Sequence, residues 1–150
     1  RGPFENYIDR YSGAFIGRYE DKVENQFYWY IRPQETGNKT DVRWLTLLDS
    51  GGLGVKITGL QPISFSALHF SPEDLDPGLT RKLQHTIDIV PQKNIFLHVD
   101  LKQRGLGGDN SWGMYPHNEY RLLDKKYTYS YMIELVEKGS DKNDYLNSRK

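Results

Sequence analysis

The sequence contains no cysteine among its 150 residues. That excludes a disulfide framework, a thiolate nucleophile and any zinc site built on thiolates. It does not fix a compartment, because cysteine-free chains suit reducing and oxidising surroundings alike. An excess of charge of one sign is missing too: 20 Lys and Arg face 20 Asp and Glu. Nucleic-acid and membrane-surface binders draw on a basic excess, so no nucleic-acid and no membrane partner is expected. Long apolar runs are also lacking; none approaches the ~18 residues of a bilayer-crossing helix. No secretory leader pattern is visible. The chain opens on Arg1 without a methionine, which reads as a processed chain or a fragment. Cytoplasm and periplasm therefore both stay open.

What is present is aromatic and β-like. Hydrophobic residues make up only 37 %, yet aromatics reach 13 % with eleven Tyr and three Trp, too many for a disordered chain. Alternation of period two dominates. It runs through 53–58, through 95–102 and through 127–136, where Tyr127, Tyr129, Tyr131, Ile133 and Leu135 share one parity. Further strand-length runs span 26–32, 42–49, 63–70 and, shorter, 119–123. Turn signals separate them at Pro33, Gly37-Asn38, Ser50-Gly51-Gly52, Gly59, Pro91 and Gly105 to Gly108. Seven strands with short links predict an all-β antiparallel sandwich or barrel. One short helix is expected near 72–76. Ser71 caps it, Pro72 takes the first position, Glu73 and Asp74 fill the first turn, and Pro77-Gly78 stops it. The domain is expected over 1–138, followed by a polar tail over 139–150.

Most catalytic patterns are missing. His69, His85, His98 and His117 form no helical metal pair. Ser66, Ser71 and Ser111 sit in no nucleophile elbow. Glu73 and Asp74 read as dipole-stabilised helix residues, while Glu5, Asp9, Glu119 and Glu134 are scattered over strand and turn positions, so no carboxylate pair for glycoside hydrolysis stands out. Asn38-Lys39-Thr40 fits the glycosylation sequon and reads as accidental. Gly105-Leu106-Gly107-Gly108 lacks the Lys-Ser/Thr and the helix of a phosphate loop. It continues instead as Asp109-Asn110-Ser111-Trp112-Gly113. Either Trp112 folds back and plugs the sandwich end, or its indole stacks on the C–H face of a sugar while its N–H meets a hydroxyl.

Four stretches carry a resemblance. Arg1-Gly2-Pro3-Phe4-Glu5-Asn6-Tyr7-Ile8-Asp9-Arg10 resembles the Gly-Pro-x-Glu-Asn-Tyr-x-Asp-Arg signature of the large β-galactosidases of the lactose-operon type, family 2 glycoside hydrolases. Pro33-Gln34-Glu35-Thr36-Gly37-Asn38 resembles their Pro-x-Glu-x-Gly turn. Phe65-Ser66-Ala67-Leu68-His69-Phe70-Ser71 resembles the strand that leads into a short helix. Gly105 to Gly113 resembles their Gly-x-Gly-Gly-Asp-Asp/Asn-Ser-Trp loop. The matches keep the family's order up to about Glu137.

The resemblance implies the second half of that family's last domain, a partial β-supersandwich of the galactose-mutarotase-like type. It implies that the catalytic glutamates belong to a (β/α)8 barrel upstream, so this segment has no catalytic residue and no activity alone. The parent reaction would be retaining hydrolysis of terminal non-reducing β-D-galactosides, with two carboxyls ~5 Å apart. Trp112 would be the substrate-binding residue, and Gly107, Gly108, Asp109, Asn110 and Ser111 would support its loop. No cofactor is expected here; the family's magnesium and sodium ligands lie upstream. The implied partners are the rest of the polypeptide with its barrel, the galactoside, and further copies in a homo-oligomer. A sheet edge or face that the missing half would cover should be exposed.

Three other readings remain open. One is a free-standing carbohydrate-binding β-sandwich using Trp112 with Tyr115 or Tyr120. Another is a mutarotase-like enzyme pairing His69 or His98 with Glu119. The last is a structural interaction domain with Trp112 buried.

Overall fold

The computed structural model describes residues 1–76, 78–80 and 84–138. Pro77 of the expected helix stop and the tail over 139–150 lie outside the described residues. Among those described, the chain is all-β and antiparallel, with very little helix: β1 (Lys39–Leu48), β2 (Gly54–Leu68), β3 (Phe96–Asp100), β4 (Tyr131–Val136) and one helix, α1 (Pro72–Leu75). Two compact units are present, one built from 1–42 and 62–127, the other from 43–61 and 128 onward.

β1 and β2 are hydrogen-bonded neighbours joined by the expected glycine turn. Asp49 accepts the amides of Gly51 (2.7 Å) and Leu53 (2.9 Å) on one oxygen, closing the turn. β2 is one strand, not two; no turn forms at Gly59. Around that point its ladder changes partner. Residues 54–59 pair with β4, and 64–68 pair with β3. Pro62 has no N–H to donate. Just before it, the Gln61 side chain stands in for backbone, donating to Ser130 O (3.1 Å) and accepting from Ser130 N (3.3 Å).

In the first unit β2 buries residues of both parities, including Ile63, Ser64, Ser66, Ala67 and Leu68. Leu68, Phe70, Leu75 and Ile89 form the apolar core, with Phe27 packed against it. α1 starts as its sequence dictates. Ser71 Oγ accepts from Asp74 N (3.2 Å) and Asp74 Oδ2 accepts from Ser71 N (2.8 Å), a complete capping box.

Two expected strands do not form. Residues 26–32 are irregular: Tyr28 N donates to the Thr36 hydroxyl (3.1 Å) and Tyr30 N to Tyr28 O (3.0 Å), so these two amides are satisfied without a neighbouring strand. Its aromatics account for its strand-like composition, but Phe27 reaches the core from a loop. Residues 119–123 contain a single 3-10 turn, Asn118–Tyr120, whose last carbonyl accepts from Gly105 N (2.7 Å). β3 and β4 are also shorter than their alternating patterns.

In the second unit β4 exposes Met132, Ile133 and Leu135, and β2 exposes Leu60. No helix of the described residues is long and apolar enough to cross a membrane.

Candidate functional site

The site is built on the first ten residues. Asn6 and Tyr7 are fully buried. Asn6 Oδ1 accepts Thr40 N (3.0 Å) and the Thr40 hydroxyl (2.5 Å), while its amide donates to Phe4 O (2.9 Å) and Arg1 O (3.4 Å). Asn38 returns the contact through its side chain to Asn6 O (2.8 Å). Because Asn38 is fully buried here, the folded chain does not offer the sequon to a glycosylating enzyme.

Glu5, with a side chain only 8 % exposed, collects Gly37 N (2.8 Å), Thr36 Oγ1 (3.0 Å), Arg10 (2.5 Å) and the Tyr30 hydroxyl. Two of the sequence motifs, the opening signature and the turn near Gly37, are thus two halves of one hydrogen-bonded block. Nothing in their spacing along the chain announced that pairing.

Asp9 projects from this block to the glycine-rich loop. Its Oδ2 accepts Leu106 N (2.8 Å) and Gly107 N (2.7 Å). Beyond it the loop folds back on itself. A Cβ on Gly108 would stand 2.3 Å from Met114 O, a distance only glycine avoids. Asn110 Oδ1 accepts Trp112 N (3.0 Å) and, at 3.5 Å, Met114 N. Asp109 meets His117 Nε2 at 2.7 Å. Ser111 lines an open depression of about 610 Å3 with Arg104, Leu106, Asn110, Met114 and Tyr115. The Arg121 guanidinium lies 5.0 Å from the Tyr115 ring centroid.

Trp112 is 85 % exposed. It does not plug the end of the sheet, and the interaction-domain reading that required it buried is corrected by this exposure. The predicted loop residues 107–112 are brought together; Asp9, which holds the loop from outside, and His117, on the loop's return, were missed by sequence reasoning. Only Asp9 left a signal, as part of the opening signature.

The Asp109 contact raises the His117 pKa above its ordinary 6.5, first through the hydrogen bond and then through charge attraction. A raised pKa means the pair is at full strength below that ordinary value and is lost as pH rises through the raised one. In an NMR titration His117 will titrate above an ordinary histidine, and Asp109→Asn will bring it back; equal values in the two proteins would exclude the pair in solution.

The histidines of the mutarotase-like reading, His69 and His98, do not assemble with Glu119. His69 Nδ1 contacts the Gln92 (3.0 Å) and Asn94 (3.1 Å) carbonyls, and its Nε2 lies 4.0 Å from Glu24, not Glu119. His98 borders a separate cleft of about 450 Å3, whose acids are Glu35 and Asp76. Burial pushes the Glu35 carboxyl up, against a lowering pull from His98. Among the described residues, no three His, Asp or Glu side chains are grouped so that they could hold a metal ion.

Comparison with known proteins places the chain in a family. Residues 1–133 match the family described as "Beta galactosidase small chain". A β-galactosidase of Priestia megaterium is 38 % identical over 135 residues, covering 89 % of this chain and 13 % of the relative. One from Streptococcus thermophilus is 36 % identical over the same length, with the same coverage of both chains. One from Halalkalibacterium halodurans is 35 % identical over 122 residues, covering 81 % of this chain and 12 % of the relative. The chain spans about one-eighth of the length of these curated relatives. With the family model matched from the opening signature through the tryptophan loop and into β4, the chain belongs to the β-galactosidase small-chain family.

Proposed function

We propose that this chain is the second half of the last domain of a family 2 β-galactosidase, with residues 1–138 as its β-sandwich part. The parent polypeptide hydrolyses terminal non-reducing β-D-galactosides with retention, through two carboxyls held in its (β/α)8 barrel. This segment is non-catalytic. It completes the sheet and presents Trp112 to the sugar, with Gly107, Gly108, Asp109, Asn110 and Ser111 as the loop that carries it. It takes no cofactor of its own, and its partners are the remaining polypeptide and further copies of the assembled enzyme.

The observation that carries this reading is the exposure of Trp112 at 85 % on a loop tied down through Asp9, Asn110 and His117. An indole held open in this way costs apolar hydration unless something covers it, and a sugar C–H face is a fitting cover. The apolar surface of Leu60, Ile133 and Leu135 supports a further contact with the remaining polypeptide in the same way.

The test is turnover of a chromogenic β-galactoside. The chain alone will show none; mixed with the upstream remainder of the enzyme, it will restore it. In that assembly Trp112→Ala will raise KM by about tenfold and leave kcat nearly unchanged, as expected for the loss of ~1–3 kcal/mol of uniform stacking. An unchanged KM removes Trp112 from the sugar site. Sugar binding by the isolated chain would instead favour the free-standing carbohydrate-binding module.

A further inference from the structure

The geometry points to Asp9 as the positioning residue for the tryptophan loop: from the opening segment of the chain, it sets where Trp112 stands. The inference rests on the sugar-binding reading of Trp112 for its functional consequence, but not for its geometry.

Three observations converge. One carboxylate oxygen of Asp9 accepts two consecutive loop amides, Leu106 N at 2.8 Å and Gly107 N at 2.7 Å. A charged acceptor taking two N–H groups is among the stronger hydrogen-bonding arrangements available to a backbone. Asp9 is itself held. Arg10 N donates to Tyr7 O (2.8 Å) in the turn that carries it, and the residues before that turn are locked through Asn6 and Glu5. The loop also closes on the carboxylate without slack. A Cβ on Gly105 would lie 2.8 Å from Asp9 Cγ and 2.9 Å from Tyr120 Cβ, so this glycine is what lets the backbone come close enough to bond.

Asp9 Oδ1 is buried and makes no hydrogen bond. The carboxylate is therefore anchored by what it does for the loop on its other oxygen. Past Gly107 the chain is pinned by its own Asn110 and by the Asp109–His117 pair, contacts within the loop and its return. Asp9 is the tie from the loop's start to the buried block. Releasing it lets the loop, with its internal contacts intact, swing as a body and carry Trp112 with it. A displacement of ~1 Å at a positioning group is enough to lower catalytic efficiency measurably.

Two measurements test this. In the 150-residue chain, NMR will show the Leu106 and Gly107 amide protons shifting together when Asp9 is replaced by Asn or Ala, because one oxygen accepts both. Asp9→Asn will retain part of the loop's order through its remaining carbonyl oxygen. Asp9→Ala will drop the order parameters of 106–113 below ~0.6 while those of Asn6 and Thr40 hold. Amides that respond separately to the substitution, or a loop equally ordered in Asp9→Ala, overturn the inference. Should Asp9→Ala fail to fold, Gly105→Ala provides the same release by displacing the carboxylate, and Asp9→Asn keeps the amide-shift readout.

In the assembled enzyme, Asp9→Ala will raise KM several-fold, and Asp9→Ala/Trp112→Ala will be no worse than Trp112→Ala alone, because both act through one contact. Fully additive effects overturn the positioning role even if Trp112→Ala raises KM. If Trp112→Ala itself leaves KM unchanged, the sugar-site reading fails, and the NMR result still decides whether Asp9 holds the loop.

Discussion

Asn6→Ala will cost about 3–5 kcal/mol of stability, enough to unfold much of the first unit of a marginal domain. Asn6 is fully buried and uses both ends of its amide. Truncation strands the Thr40 amide and hydroxyl as donors, and the carbonyls of Phe4 and Arg1 as acceptors. Each buried group left without a partner costs roughly 1–3 kcal/mol, which water entering the small cavity offsets only in part. Urea unfolding measures the loss directly. Thr40→Val sets the scale, since it removes one hydroxyl and keeps the amide contact, and should cost about 1 kcal/mol. A loss below that for Asn6→Ala would show that the opening segment is not held by this network. A real loss will also disorder the tryptophan loop, because Asp9 rides on the same block.

Glu5→Gln will destabilise the chain by about 2–3 kcal/mol at neutral pH and will flatten its acid unfolding. Burial alone pushes the Glu5 carboxyl up. Hydrogen bonds from Tyr30, Gly37, Arg10 and Thr36 together outweigh burial and hold it below its ordinary 4.5. A carboxylate depressed on folding contributes stability that is fully present above its unfolded pKa and is lost as pH falls through the folded one. The effect therefore lies below about pH 4.5. A stability-against-pH series of parent and variant will converge as acid protonates Glu5. Parallel curves over that range would mean the carboxylate charge contributes nothing to the block.

How much of this was legible depends on the reach of each signal. The hairpin turn at 49–53 and the α1 cap formed where the sequence placed them, because both are written within four or five residues: Asp49 onto Gly51 and Leu53, Ser71 onto Asp74. The alternating cores of β2, β3 and β4 were visible for a similar reason, since period two is a local property. The failures share a cause. Residues 26–32 have strand composition, but Thr36 satisfies Tyr28 N, so no strand neighbour is required. Gly59 reads as a break, yet β2 runs through it because the ladder changes partner nearby and the Gln61 side chain fills in for backbone. Both outcomes depend on neighbours distant in sequence.

The tryptophan loop divides the same way. Its glycines, the Asn110 turn and the presence of Trp112 were readable within nine residues. Whether Trp112 lay buried or open was not, because exposure depends on where the whole loop is hung. Local chemistry by itself determined the antiparallel β class, the helix cap, the absence of thiol chemistry and the loop that carries an aromatic. Tertiary structure alone decided that Glu5 clasps the turn at Gly37, that Asn6 clasps Thr40, and that Asp9 ties down Leu106 and Gly107. Those bonds join residues some thirty to one hundred positions apart. No periodicity encodes them, because each needs a buried carboxylate or amide and an unpaired backbone N–H to meet, and only the folded chain brings them within 3 Å.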